Sequence, residues 1–570
     1  MRVLLFLAAA ALAAAPAFAQ EPIYSDMDRV HPVVAGQGMV ASQEALATGI
    51  GVEILQAGGN AVDAAVAVGF ALAVTLPQAG NLGGGGFMLV HMAERGETAA
   101  IDYREKAPAT ATRDMFLNAA GDADPELSRW SPLAIGVPGT VAGLAMALER
   151  YGTMELAEVV APAIALAEGG VTVTPELSQS LKGSAEALKK WPSTARIFFK
   201  PDGAPYDPGD TLVQADLAKS LRLIAEEGPD AFYRGAIGER IADEMQRSGG
   251  LISMDDLGAY QAVVREPVRE AYRGHEVVSM PPPSSGGTHI IQILNILEGF
   301  PIAALGAGSA ETLHLMAEAM KRAYADRSEY LGDSDFVDVP VEALTGKAYA
   351  EALRAEIDRD LATPSATILS GDLAPYESDQ TTHFSVVDKD GNAVSNTYTI
   401  NFSYGMGLVA EGTGILLNNE MDDFSAKPGV PNAYGLVGGD ANAVEPGKRP
   451  LSSMSPTLVL KDGAVVLATG SPGGSRIITT VLQVVMNVID HGMNIAEASI
   501  APRIHHQWLP DELRVEEGLS PDTIRLLQAK GHIVIVQPAM GSTQSIARRG
   551  DGMLFGASDP RRASALTAGY

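Results

Sequence analysis

Two adjacent threonines, Thr381 and Thr382, stand where an aperiodic stretch, LATPSATILSGDLAPYESDQ over 361–380, gives way to an alternating run. Threonine is ordinary in strands, so one reading of the pair is purely structural. The other is chemical. A threonine hydroxyl is a weak nucleophile until a base takes its proton, and an N-terminal threonine carries that base in its own α-amine. The reference pKa of such an amine is about 7.7–8.0, close to working pH. Exposing it requires a cut between Gln380 and Thr381. The hydroxyl could attack the Gln380 carbonyl, shift the chain to an ester, and let water release it. A disposable loop just upstream is what such a cut needs.

Three glycine-rich runs offer a second kind of chemistry: Gly83–Gly86 in NLGGGGFM, Ser284–Gly287 in PPPSSGG and Ser471–Ser475 in SPGGS. Clustered glycine costs conformational entropy, which a tight turn or a close backbone approach can justify. Backbone N–H groups presented to an oxyanion are the functional alternative. HExxH, Walker A and GxSxG motifs are absent. GxGxxA occurs at Gly36–Ala41 and Gly405–Ala410, without the strand–helix unit and downstream acid that nucleotide binding requires. His505 and His506 are adjacent, so on a regular element they point apart, which favours core or surface roles over metal binding. No cofactor and no metal site are expected.

The elements that would position these groups change character along the chain. Helix-period runs dominate 40–360, as in Ser42–Ala57, Asn60–Leu76 with Asn60 as N-cap, Gln214–Glu227 and Glu311–Tyr330. After 380, three pairs of alternating runs flank turn sequences. Phe384–Asp388 and Ala393–Ile400 flank KDGN, Leu458–Leu460 and Val465–Thr469 flank KDG, and Ser545–Arg548 and Met553–Gly556 flank GDG. A helical run, Ile477–Asp490, lies between them. The fold class is α+β, with an internal boundary at 380/381.

The chain has 570 residues, 46% hydrophobic and 19% charged, which excludes a disordered protein. Its net charge of −28 opposes nucleic-acid binding. The absence of cysteine removes disulfides, thiolate nucleophiles and thiolate metal sites. Residues 1–19 read as a signal peptide: Arg2, an apolar run over Val3–Ala15, and the small-x-small sequence Ala17-Phe18-Ala19. No later stretch is apolar enough to span a membrane, so a periplasmic or secreted protein is expected.

Thr381–Gly405, TTHFSVVDKDGNAVSNTYTINFSYG, resembles the signature of the gamma-glutamyltranspeptidases. So do NLGGGGFM, DYREKAP, PPPSSGG, LLNNEMDDFS, KRPLSSMSPT, TGSPGGSR and the closing SALTAGY. The resemblance implies an N-terminal-nucleophile hydrolase fold, a four-layer αββα sandwich. It implies a precursor that cleaves itself into a large subunit, 20–380, and a small one, 381–570, which stay together as a heterodimer. Thr381 would attack the γ-glutamyl amide of glutathione or another γ-glutamyl compound. The resulting ester would pass to water, an amino acid or a dipeptide. Thr399 would support the nucleophile, and Gly473 and Gly474 would form the oxyanion hole. Arg104, Ser452 and Ser453 would hold the substrate α-carboxylate; Asn401, Glu420 and Asp423 would hold its α-amino group. Pro428–Gly439 resembles a lid loop gated by Tyr434.

A zwitterionic substrate head needs both a cation and anions, which fits this residue set. Without the resemblance, Arg104 and Asp423 would read as surface ion pairs. Three alternatives remain: an acylase for glutaryl-cephalosporin-like amides, a poly-γ-glutamate processing enzyme, and an exported binding protein without activity. The acids at 420 and 423 argue against a glutaryl substrate, which has no α-amino group. A lid argues against a long polymer.

Overall fold

The computed structural model describes residues 28–368, 381–433 and 435–570. The signal segment, Gln380 and Tyr434 lie outside the described residues.

Two seven-stranded antiparallel sheets form the centre of the molecule. The first runs Val33–Ala35, Leu554–Ser558, Gln544–Arg548, Ala464–Thr469, Thr457–Lys461, His275–Ser279, Val268–Tyr272. The second runs Leu566–Gly569, Gly38–Ser42, Thr382–Asp388, Ala393–Thr399, Gly85–Met92, Glu97–Asp102, Val263–Arg265. All three hairpins expected from their turn sequences are present.

Strand residues alternate between two cores, as the period of two requires. Met39, Ala41, Phe87, Leu89 and Val387 face the first sheet, where they meet Val277, Leu458 and Ile546 in one apolar cluster. Val40, Met88, Val90, Phe384 and Val386 face the opposite way, toward the helices Ala45–Gln56 and Ala61–Thr75. The second of these helices is wholly buried and apolar apart from Asp63 and Thr75 at its ends. Its start is fixed by Asn60, whose side chain accepts from the N–H groups of Val62 (2.8 Å) and Asp63 (3.1 Å). On the far side, Gly286–Glu298, Ala310–Tyr330 and Ile477–Ile489 cover the first sheet. The order helix, sheet, sheet, helix makes this an α+β sandwich of four layers.

The chain before 380 carries most of the helices and also supplies seven of the fourteen sandwich strands. Thr382–Asp388 and Ala393–Thr399 insert between Gly38–Ser42 and Gly85–Met92, and Leu566–Gly569 closes the edge on Gly38–Ser42. The boundary at 380/381 therefore separates no independently folded domains. Pieces cut there would remain joined through both sheets.

Candidate active site

The register of the central hairpin pairs Thr382 with Tyr398, so its next step sets Thr381 opposite Thr399. Both residues are buried. Thr399 Oγ1 accepts the N–H of Asn401 at 2.8 Å, and its carbonyl accepts Asn81 Nδ2 at 2.9 Å. Asn81 Oδ1 in turn receives Gly84 N at 2.9 Å and Thr140 Oγ1 at 2.7 Å. A Cβ on Gly84 would lie 2.0 Å from the Thr399 carbonyl oxygen. The run Gly83–Gly86 therefore serves close packing behind the strand that carries Thr399, not oxyanion binding. The glycines of PPPSSGG act likewise: a Cβ on Gly287 would sit 2.4 Å from the Met280 carbonyl oxygen.

SPGGS is different. Gly473 has φ 135° and Gly474 φ 54°, values that disfavour any side chain. They lead through one turn of 3₁₀ helix into Ile477–Ile489, so their N–H groups lie at the positive end of a helix. Tyr324 donates its hydroxyl to the Ser475 carbonyl and ties this loop to the helix Ala310–Tyr330.

Arg104 is fully buried, which overturns the surface ion-pair reading. Its guanidinium donates to Glu420 and Asp423, and to the carbonyls of Pro450 (3.2 Å) and Leu451 (3.5 Å). Glu105 lies 3.6 Å away on the same side. Burial alone would lower the Arg104 pKa, but Glu420, Asp423 and Glu105 outweigh it and the net shift is upward. Burial drives the three acids up as well. Glu420 and Asp423 are raised despite the pull of Arg104, and Glu105 is pushed to about 7. Among the described residues, neither carboxyl oxygen of Glu105 has a hydrogen-bond partner. Three acids thus share one arginine, a set of carboxyl acceptors where an ammonium could dock.

Ser452 and Ser453 complete the arrangement. The Ser452 carbonyl accepts from the N–H and hydroxyl of Ser285, both at 2.8 Å, and its hydroxyl accepts the Met454 N–H at 3.1 Å. Arg327, also fully buried, donates Nε to Ser285 Oγ (2.9 Å) and Nη2 to Ser453 Oγ (3.2 Å). Burial lowers its pKa to about 10.

One cleft brings together Thr381, Thr399, Asn401, Arg104, Glu420, Asp423, Ser452, Ser453 and Gly474. Gly473 precedes Gly474 just outside this lining. Gln380 and Tyr434 lie outside the described residues. Sequence reasoning missed Arg327, Glu105, Asn81 and Tyr324. Only the three-residue spacing of 324 and 327 on one helix hinted that these two share a face. Among the described residues, His314, Glu318 and His532 are the group close enough to hold a metal. Glu318 is already held by Lys321 and Arg322 at 3.0 and 2.9 Å, so two cations stand where a metal would need that ligand. His505 and His506 point apart, to Thr479 and Gln507 and to Asp511.

The family model described as Gamma-glutamyltranspeptidase matches residues 47–569. The chain is 64% identical over 544 residues to the glutathione hydrolase proenzyme of Escherichia coli K12, covering 95% of this chain and 93% of that protein. A cephalosporin acylase from Bacillus halodurans superposes with a TM-score of 0.83 at 30% identity, covering 97% of this chain and 99% of that one. A chain of the gamma-glutamyltranspeptidase of Helicobacter pylori aligns with a TM-score of 0.56 at 49% identity, covering 57% of this chain and 93% of its own.

Proposed function

The chain belongs to the gamma-glutamyltranspeptidase family, and we propose that Thr381 is the nucleophile with which it acts as a glutathione hydrolase and γ-glutamyltransferase. The chain is read as a proenzyme, as its relative from Escherichia coli is named. A cut between Gln380 and Thr381 frees the α-amine, and the shared sheets hold the two pieces as a heterodimer.

In the reaction, the Thr381 amine takes the hydroxyl proton as Oγ1 attacks the γ-carbonyl of the donor. The N–H groups of Gly473 and Gly474 stabilise the oxyanion. The proton passes to the leaving amine, the amide C–N bond breaks, and an ester remains. Water or the amine of an amino acid or dipeptide then attacks that ester, gives up its proton to the Thr381 amine, and releases glutamate or a new γ-glutamyl compound. Thr399 orients the nucleophile. Arg104, Ser452 and Ser453 take the α-carboxylate; Asn401, Glu420 and Asp423 take the α-ammonium, exchanging part of their hold on Arg104 for the substrate's charge.

The observation that carries this reading is a buried cation beside buried acids in the same cleft as Thr381, a set that suits a zwitterion. It disfavours a glutaryl substrate, which offers nothing to Glu420 and Asp423. We assign the lid role to Tyr434 and export to residues 1–19, giving a periplasmic or secreted enzyme. No helix among the described residues is long and apolar enough to cross a membrane. The test is to incubate the purified enzyme with glutathione, with and without a dipeptide, and to quantify glutamate and γ-glutamyl products. Turnover of glutaryl amides in preference to glutathione would overturn the assignment.

A further inference from the structure

We propose that Arg327 is a positioning residue that directs the hydroxyl proton of Ser453 into the cleft, and so sets the enzyme's selectivity for donors bearing a free α-carboxylate. The proposal rests on the function given above and deepens one part of its site.

The argument begins with donors and acceptors. A guanidinium has only donors. The 3.2 Å contact from Arg327 Nη2 to Ser453 Oγ therefore makes that oxygen an acceptor, and the serine's own proton must go elsewhere. Among the described residues no protein acceptor takes it, while Ser453 lines the cleft beside Arg104. Ser452 is set in the same sense, since its Oγ accepts the Met454 N–H at 3.1 Å. Two neighbouring hydroxyls thus have their lone pairs engaged from behind and their protons available in front. Such a pair suits an anion that only accepts, as a carboxylate does.

Arg327 adds two further effects. Its Nε fixes Ser285 Oγ, and that hydroxyl donates to the Ser452 carbonyl, so one planar fork secures both serines of the loop. Its hydrogen-bond partners here are hydroxyls, and no carboxylate among the described residues lies within ion-pair distance, so its charge is not spent locally. Arg327 follows Tyr324 by three residues on the helix Ala310–Tyr330, and Tyr324 grips the Ser475 carbonyl. One rigid helix therefore spaces the oxyanion loop from the carboxylate loop. That spacing is what a γ-glutamyl group must bridge between its reacting carbonyl and its α-carboxylate.

A double-mutant cycle tests this, using Arg327→Met, Arg327→Lys, Ser453→Ala and the combinations, with glutathione as donor and L-glutamate as competitive inhibitor. A hydrogen bond to a charged group is worth about 1.5–3 kcal/mol, so each single change is expected to raise donor KM and inhibitor Ki about tenfold or more. The value of kcat should stay within about threefold, and cleavage at Thr381 should proceed. The combined variant should lose clearly less than the sum of the two single losses, because Arg327 acts in part through Ser453. Arg327→Lys keeps the charge but cannot reach both serines, and should recover only part of the loss. A donor with the α-carboxylate converted to a carboxamide should bind wild type and variants alike. Additive effects, equal losses with the carboxamide donor, or an uncleaved chain in both Arg327 variants would overturn the proposal. Unchanged KM in the variants while wild type turns over glutathione would refute the role of Arg327 alone. A wild type inert toward glutathione would refute the function and this role with it.

Discussion

Glu105 offers a stability test that follows directly from its surroundings. It is fully buried, and among the described residues neither oxygen has a hydrogen-bond partner and its ion-pair neighbour is Arg104 at 3.6 Å, which Glu420 and Asp423 already occupy. Burial raises its pKa from 4.5 to about 7. A carboxyl raised on folding means that the folded state holds a proton the unfolded state has released. Its cost is therefore absent below about pH 4.5, grows through the interval between the two values, and is complete above pH 7. At 1.36 kcal/mol per unit, the cost reaches about 3 kcal/mol in alkaline solution. Glu105→Gln removes the ionisation while keeping the shape. Chemical denaturation or melting at a fixed scan rate, on cleaved enzyme at pH 5, 6, 7 and 8, should show wild type losing ground to the variant as pH rises. The gap should approach about 3 kcal/mol at pH 8 and be close to zero near pH 4.5. An ionised Glu105 also competes with a substrate carboxylate for Arg104, so the alkaline rise in the Ki of L-glutamate should be shallower in the variant. Parallel stability curves across this range would refute the reasoning, since Arg104 would then be holding Glu105 ionised throughout.

Other substitutions test separate parts of the site. Arg104→Ala should raise donor KM by at least about 30-fold, in line with the 2–5 kcal/mol attached to losing one partner of a buried charge pair. Self-cleavage should continue, and an uncleaved variant would assign Arg104 to folding instead. Gly474→Ala places a Cβ at φ 54°. Strain of about 1–2 kcal/mol and a displaced N–H should lower kcat by about 10²–10³ with little change in KM, as steady-state kinetics would show. Tyr324→Phe releases the Ser475 carbonyl and should cost kcat about two- to tenfold, since one net hydrogen bond is worth about 0.5–1.5 kcal/mol.

The local signals in the sequence translated well where a turn or cap made them explicit. KDGN, KDG and GDG each join two antiparallel strands, and Asn60 opens the helix it was expected to open. Strands before residue 380 were harder to see for a physical reason. Gly85–Met92 is covered on both faces, so it reads as a continuous apolar run instead of an alternation. The hairpin of Val268–Tyr272 and His275–Ser279 turns through Arg273 and Gly274, both at positive φ, and an arginine there is an unusual turn residue. The site was legible only through resemblance. Arg104 lies hundreds of positions before Thr381, Asp423 and Ser453, which are themselves tens of positions apart, and composition gives no sign that an arginine is enclosed by acids. Arg327 and Glu105 matter through burial and through what their partners leave unsatisfied, which a linear pattern does not carry. The bond expected to be cut ends at Gln380, outside the described residues, so chemistry must test it.

The central claim is that Thr381 both cuts the chain and carries the acyl group. Intact-mass and N-terminal analysis of the purified protein, beside its Thr381→Ala variant, addresses it most directly. The account predicts two pieces from wild type, the smaller beginning Thr381-Thr382-His383, and a single inactive chain from the variant. Two pieces from the variant, or a wild-type fragment with a different first residue, would contradict it.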